Sequence, residues 1–289
     1  MIIDPKNTPT ADLHQYMLGS VAPRPIALAS TIDENGVANV APYSFFNAFS
    51  SNPPIVVFSS NRKVKDNTTK DTLHNIQSNK EVVINVVSHD ILRQMAISSV
   101  AFGPKDSEFD KAGFTPLASD LVKPFRVKES PVQMECKVSD IITLGEHGGA
   151  GHLIICHIVR MHIDDRILDA EQKIDPQKID LMGRMGRAFY TRASGDSIMK
   201  VYQNVGKICL GYDQIPEHIK MSSILSGNDV ARIAGQLAFP SEELLDSTAS
   251  EYESVLQSGE SEKVHAIAKD LIASEEVEKA FALLMNAQK

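Results

Sequence analysis

The residues best suited to chemistry lie between two apolar segments, at 59–72, where the sequence reads SSNRKVKDNTTKDT. Four cations and five hydroxyls crowd this stretch, although the net charge of the chain is −8. A helix start near Thr69 and Lys70 would attract an anion through its free N–H groups and its dipole. Lys70 and Arg62 would complete a phosphate cradle. The alternative is a solvated loop in which Thr69 or Asp71 only caps the helix.

A second unusual stretch, at 38–51, reads ANVAPYSFFNAFSS. Proline is not expected within a central ladder, so the strand is predicted to end at Pro42 and the backbone beyond it to leave the sheet. Exposed backbone amides beside aromatic walls commonly hold planar aromatic ligands. The alternative is a turn that places Phe45, Phe46 and Phe49 in the core.

Arg24 lies between two prolines in APRP, just before the first predicted strand. The prolines restrict the backbone and hold Arg24 at a defined place. Its charge would then face either a ligand or a surface carboxylate.

Four histidines recur every five residues, at His147, His152, His157 and His162. In a strand this odd spacing alternates the faces, and His152 and His162 would lie ~33 Å apart. We therefore predict no metal site. The sequence also lacks GxGxxG, GKS/T, GxSxG and HExxH, so nucleophilic hydrolysis and Rossmann-type binding have no support.

Two kinds of periodicity divide the chain. Segments rich in Val and Ile predict strands at 26–32, 38–43, 55–59, 82–88, 133–144 and 153–163, with helices at 69–79 and 90–98. The turn at 33–36 contains Asn-Gly, which favours an antiparallel hairpin. Later segments follow helical spacing, at 222–238, 241–256, 260–273 and 275–286. We predict a mainly β domain, an antiparallel barrel or sandwich, at 1–205 and a helical extension at 206–289.

Composition narrows the class of protein. With 289 residues and 43% hydrophobic content the chain can form a full core, and its acidity disfavours nucleic acid and membrane surfaces. Three widely spaced cysteines fit reduced thiols. No secretory signal or membrane-spanning apolar run is recognised. We expect a soluble, cytoplasmic protein.

Several segments in order resemble one family. PRPIALAST, NGVANVAPYSFFNAFSSNPPIVVFSS and KDTLHNI, followed by VVINVVS, resemble flavin reductase-like proteins of the FMN-binding split-barrel superfamily. SEFDKAGF, SPVQMECKV, GHLIICHIVRMHIDD and MGRMGRAFY extend the likeness over roughly residues 10–192. The helical C-terminal stretch has no counterpart in the minimal family domain.

The resemblance implies a six-stranded antiparallel Greek-key split barrel, a homodimer, and FMN, bound tightly or loosely, near the dimer interface. It places His152 on the nicotinamide side, without a certain catalytic residue. The positions that it implies for FMN are Thr31, Ser44, Phe45, Phe46, Asn47, Ser59, Ser60, Asn61, Arg62, Lys70, Asp71 and Thr72.

The implied activity is that of an NAD(P)H-dependent flavin reductase, in which NADH or NADPH passes hydride to FMN and the protein supplies orientation. The electrons would then go to an oxygenase or another acceptor. One alternative is a flavoredoxin-like electron-transfer protein that does not use nicotinamide directly. Another is an assembly protein that works through its helical tail and keeps only vestigial flavin affinity.

Overall fold

The computed structural model describes residues 1–103, 106–201 and 206–287. The chain divides into two compact units, Met1–Met199 and Lys200–Lys289. The predicted domain boundary, between residues 205 and 206, falls at the edge of a segment outside the described residues.

The first unit is built on a seven-stranded antiparallel sheet, with the strands in the order β2-β1-β5-β8-β9-β4-β3. Its strands are β1 (Ala27–Ile32), β2 (Ala38–Tyr43), β3 (Phe46–Ser51), β4 (Pro54–Ser59), β5 (Glu81–Val86), β8 (Val132–Thr143) and β9 (His152–Ile163). The two-stranded ladders are β6 (Pro116–Leu117) with β7 (Arg126–Val127), and β10 (Leu181–Arg184) with β11 (Tyr190–Ala193).

The chain connection between the two edge strands shows how the sheet closes. β2 and β3 lie at opposite edges, yet only Ser44 and Phe45 separate Tyr43 from Phe46. Three residue steps span at most about 11 Å. The sheet must therefore curl until its two edges meet, which produces a split barrel with the split at Ser44 and Phe45.

The β1–β2 hairpin forms as its turn sequence predicts. The Asp33 carboxylate accepts hydrogen bonds from the backbone N–H groups of Asn35 and Val37, at 2.9 and 2.7 Å. Gly36 has φ +85°, a conformation that glycine adopts without strain. Ile32 then pairs with Ala38 and sets the register of the hairpin.

The barrel interior is filled by alternate residues of its strands, as the period of two requires. Ala27 and Ala29 of β1 face this interior with Phe58 of β4, and all three are buried. A separate cluster packs outside the barrel, where Leu28 and Val40 contact the helices. The helices of this unit are α1 (Thr10–Ser20), α2 (Asp71–Asn79), α3 (Leu92–Ile97) and α4 (Glu108–Ala112).

The second unit is helical and has a core of its own, in which Phe281 of the last helix is fully buried. Its helices are α5 (Glu217–Lys220), α6 (Gly227–Ala234), α7 (Glu242–Glu251), α8 (Glu253–Gln257), α9 (Ser261–Ala273) and α10 (Val277–Asn286). Ser226 and Asp229 form a capping box at the start of α6. Within the described part of the chain no helix is long and apolar enough to cross a membrane.

Mainly antiparallel β-structure with added helices was predicted correctly, and all six predicted strands occur within two residues of their expected ends. The strand count was wrong, because the sheet has a seventh strand, β3. The backbone does not leave the sheet after Pro42, since β2 continues to Tyr43 and β3 begins three residues later. Proline is tolerated there because β2 is an edge strand.

Candidate functional site

A cavity of about 790 Å³ opens beside the split of the barrel. Its walls come from α1, the Ser44–Phe45 connection, the end of β4 and the loop before β9. It is lined by Thr10, Leu13, His14, Met17, Val21, Pro23, Arg24, Pro25, Ser44, Phe45, Phe46, Asn47, Phe49, Val57, Phe58, Ser59, Asn61, Arg62, Val64, Leu144, Gly149, Gly151 and Leu153.

The FMN residues implied by the resemblance separate into two groups. Those that line the cavity are Ser44, Phe45, Phe46, Asn47, Ser59, Asn61 and Arg62. Those outside the cavity lining are Thr31, Ser60, Lys70, Asp71, Thr72 and the nicotinamide-side His152. At the end of β4 this separation follows strand geometry, because successive side chains of an extended segment point to opposite faces.

The three phenylalanines of the 38–51 stretch have different environments. Phe45 lines the cavity and is half-buried, whereas Phe46 also packs against the barrel core. Phe49 lines the cavity but is 69% exposed. The stretch therefore combines the two expected roles, an aromatic wall and a core contact.

The exit of β4 is held by a chain of hydrogen bonds. Ser59 Oγ donates to Asn61 Oδ1 at 2.7 Å, and Asn61 Nδ2 donates to the Gly149 carbonyl at 3.2 Å. A Cβ at Gly151 would overlap Ser59 Oγ. Glycine is therefore required where the loop before β9 approaches the Ser59 side chain.

Several buried polar groups near the end of β2 and the exit of β4 lack hydrogen-bond partners among the described residues. Tyr43 Oη, Ser60 Oγ and Arg62 Nε are buried without a hydrogen-bond partner among the described residues. Ser60 and Thr72 lie near enough to Tyr43 to influence its pKa, but make no hydrogen bond of normal geometry with it. Burial is the main influence and raises the pKa of Tyr43 to about 12.

Lys70 adds a second cation to this group, beside Arg62. Its Nζ lies 4.8 Å from the centroid of the Tyr43 ring, and the described residues offer it no ion pair. Burial, and then the nearby Lys63, lower the pKa of Lys70. Lys70 is also the N-cap residue of α2, and no side chain caps this helix. A positive charge and uncapped N–H groups thus lie at the same end of α2.

The two predicted threonines belong to a buried network that anchors α2 to the sheet. Asn39 Oδ1 accepts hydrogen bonds from Thr72 and Thr31, at 2.9 and 3.3 Å. Asn75 Nδ2 donates to Thr31 Oγ1 at 3.0 Å, and Asn39 Nδ2 donates to Glu108 at 3.0 Å. Thr31 and Thr72 therefore position the start of α2.

His152 is buried and faces away from the cavity, toward Ser60. Its Nδ1 lies 3.0 Å from the Ser60 carbonyl, to which it must donate because a carbonyl only accepts. The backbones of the same two residues also exchange hydrogen bonds. This geometry gives His152 a role in fixing the residue that follows β4.

Arg24 is only 4% exposed and contacts no carboxylate among the described residues. Its Nε lies 3.4 Å from Ser44 Oγ, and its terminal nitrogens donate to the carbonyls of Leu18, Val21 and Met185. Of the two alternatives predicted for Arg24, the surface carboxylate is not observed among the described residues. Arg24 instead joins the end of α1 to the Ser44–Phe45 connection at the cavity wall.

The cavity wall formed by α1 was not predicted from the sequence. Thr10, Leu13, His14 and Met17 follow helical spacing and line the cavity together. The His14 and Phe45 ring centroids are 6.1 Å apart in an edge-on arrangement. The spacing of Leu13 and Met17, together with Asp12 in the first turn, was the signal for this helix.

Comparison with known proteins agrees with this architecture. Residues 18–177 match the sequence model of the flavin reductase like domain, and the chain belongs to this family. An uncharacterized protein of Aquifex aeolicus (strain VF5) is 39% identical over 197 residues, which cover 68% of this chain and 97% of the relative.

Two solved structures share the fold at 27% sequence identity. Nitrilotriacetate monooxygenase component B from Bacillus cereus superposes with a TM-score of 0.64 over 70% of this chain and 98% of its own. Pseudomonas fluorescens 2-nitrobenzoate 2-nitroreductase NbaA superposes with a TM-score of 0.62 over 71% of this chain and 98% of its own. The fold and family together define a split-barrel protein with a flavin-related function.

Proposed function

We propose that this protein binds FMN at the split of the barrel and acts as an NAD(P)H-dependent flavin reductase. One observation carries the proposal. Among the described residues, three buried polar atoms, on Tyr43, Ser60 and Arg62, lack hydrogen-bond partners, and Lys70 forms no ion pair. They lie in or next to the segments that the family resemblance implies for FMN. Buried polar groups are normally satisfied, so this group is incomplete without a ligand.

The donors at this end of α2 fit a phosphate. Lys70 and Arg62 supply charge, the Ser60 hydroxyl supplies a further donor, and the uncapped helix start supplies N–H groups. Phe45 and the Ser44–Phe45 backbone form a wall suited to a planar ring. This donor set matches a ligand with an anionic end and a flat aromatic end, as FMN has.

When bound, FMN supplies a ring that accepts hydride from a reduced nicotinamide. The chain's own residues then need to bind and orient the ligands. The network of Asn39, Thr31 and Thr72 holds the start of α2 in place. Arg24 holds the Ser44–Phe45 connection through its hydrogen bond to Ser44. This arrangement requires no catalytic base.

The electron acceptor is part of the same proposal. Nitrilotriacetate monooxygenase component B, a structural relative, bears the name of an oxygenase component, and this supports an oxygenase or a similar partner as the acceptor. The rival is a flavoredoxin-like carrier that does not oxidise nicotinamide. The three cysteines are free thiols, which supports a reducing, cytoplasmic location.

We also propose a homodimer that meets near the cavity. Phe49 and Leu144 line the cavity with 69% and 61% of their surfaces exposed, and Val21 and Val64 beside them are exposed as well. Exposed apolar side chains grouped on one surface are typical of an interaction site. Light scattering should give twice the monomer mass, with Phe49→Asp shifting the protein toward monomer.

The absorption spectrum of the purified protein with added FMN tests the function. Saturable FMN binding, followed by bleaching of the flavin bands on addition of NADH or NADPH, is expected. FMN binding without nicotinamide oxidation would favour the electron carrier. Absence of FMN binding would contradict the proposal.

A further inference from the structure

No residue of the α1 wall is among the positions that the resemblance implies for FMN. Leu13, His14 and Met17 lie on this wall, and Phe45 lies on the flavin side. His14 and Phe45 already approach each other edge-on, with their ring centroids 6.1 Å apart. A second ligand that lies against the flavin side would therefore contact α1.

The charged side chains that line this cavity, Arg24 and Arg62, are both cationic. His14 lines it as well, and no described carboxylate does. The chain as a whole has a net charge of −8, so the positive charge that lines the cavity is opposite in sign to the net charge of the chain. A pocket lined by one sign of charge within low-dielectric walls concentrates ligands of the opposite charge.

Arg24 contributes a positive charge to the electrostatic field in the cavity. Its guanidinium is almost fully buried and is surrounded by carbonyl and hydroxyl oxygens, with no carboxylate in the described structure to neutralise it. Burial, and then Arg184, lower the pKa of Arg24. A buried cation without a counter-charge is costly, and an anion in the adjacent cavity would reduce that cost.

His14 offers the contact that such an anion needs. Its ring nitrogens make no hydrogen bond with the described residues, and the half-buried side chain lines the cavity. The neighbouring apolar groups, Leu13, Met17 and Phe45, suit a flat hydrocarbon ring. One cavity thus contains apolar groups suited to a ring and a hydrogen-bonding group suited to an anion.

We propose that the cavity binds a planar aromatic carboxylate as a further ligand, distinct from FMN and the nicotinamide, with His14 as its hydrogen-bond donor and Arg24 as the source of the favourable electrostatic field. The inference rests on the proposed function, since the flavin forms the facing wall, and it names the chemical class of this further ligand.

Benzoate and benzamide are suitable probes, because they share a shape but differ in charge. FMN affinity is measured first for each variant, and the FMN-loaded protein is then titrated with each probe by calorimetry and by change in the flavin absorbance. Benzoate is expected to bind about tenfold or more tightly than benzamide, because hydrogen bonds to a charged group are the stronger ones.

His14→Phe keeps a flat ring but removes the hydrogen-bond donor, so it should lower benzoate affinity by about tenfold, lower benzamide affinity less and leave FMN affinity unchanged. His89→Phe is the matched control, since His89 is exposed and does not line the cavity, and it should behave as wild type.

Equal affinity for the two probes in protein that binds FMN would overturn this inference and leave the proposed function intact. An unchanged preference for benzoate in His14→Phe would overturn the role of His14. Failure of all preparations to bind FMN would overturn the proposed function and this inference with it.

Discussion

Replacing Lys70 by methionine is expected to weaken FMN binding without weakening the fold. Methionine keeps an unbranched apolar chain over the Tyr43 ring but removes the charge that lies 4.8 Å from its centroid. A hydrogen bond to a charged group is worth about 1.5–3 kcal/mol, so the dissociation constant of FMN should rise roughly ten- to a hundredfold.

The stability of the FMN-free protein should respond differently. Burial, and then Lys63, lower the pKa of Lys70, so the folded state disfavours its charged form. Removing that charge relieves the penalty at neutral pH, and the melting temperature should stay equal or rise. Loss of affinity without loss of stability is the signature of a residue placed for a ligand.

Fluorescence titration of FMN and thermal melts of the FMN-free protein measure the two effects. Lys65→Met is the matched control, because Lys65 belongs to the same loop but is exposed, and its FMN affinity should stay within about twofold of wild type at moderate salt, where exposed charges are screened. An unchanged FMN dissociation constant in Lys70→Met would refute the phosphate assignment.

Three further predictions concern stability. Gly151→Ala should cost about 1–3 kcal/mol in urea unfolding, because its Cβ would overlap Ser59 Oγ, and a wild-type midpoint would contradict the close approach. Tyr43→Phe should leave the FMN-free protein equally stable or more stable by up to about 1 kcal/mol, since the lost hydroxyl has no hydrogen-bond partner in the described part of the chain, whereas clear destabilisation would reveal a hydrogen bond. Burial, and then His218, lower the pKa of His265, so its contribution to stability is complete above about pH 6.5 and falls as the pH drops. Between pH 8 and pH 5 the melting temperature should therefore fall less in His265→Gln than in wild type. An equal fall in both proteins would contradict this linkage.

Sequence patterns predicted the barrel strands because these segments are rich in Val and Ile and are bounded by turn residues. In β5, for example, Val82, Val83 and Ile84 are consecutive and all fully buried. β3 was missed because FNAFSS contains no Val or Ile and its side chains are mostly exposed, so it shows no core periodicity. Its partner strand β4, only a short turn away, supplies the pairing that the local sequence does not indicate.

The candidate site was predictable in composition but not in arrangement. The cations and hydroxyls of the 59–72 stretch indicated an anion site, and strand alternation alone could have separated Ser59 from Ser60. The approach of Gly151 to Ser59 and the cavity wall provided by His14 depend on contacts between residues far apart in sequence. Such contacts follow from the closure of the sheet, which no local pattern encodes.

The ratio of FMN to riboflavin affinity in the wild-type protein tests the central claim most directly, because the two ligands differ only in the phosphate. If Lys70 and Arg62 hold that phosphate, FMN should bind at least roughly a hundredfold more tightly, since two charge-assisted contacts are involved. Equal affinities would show that no phosphate is held between β4 and α2.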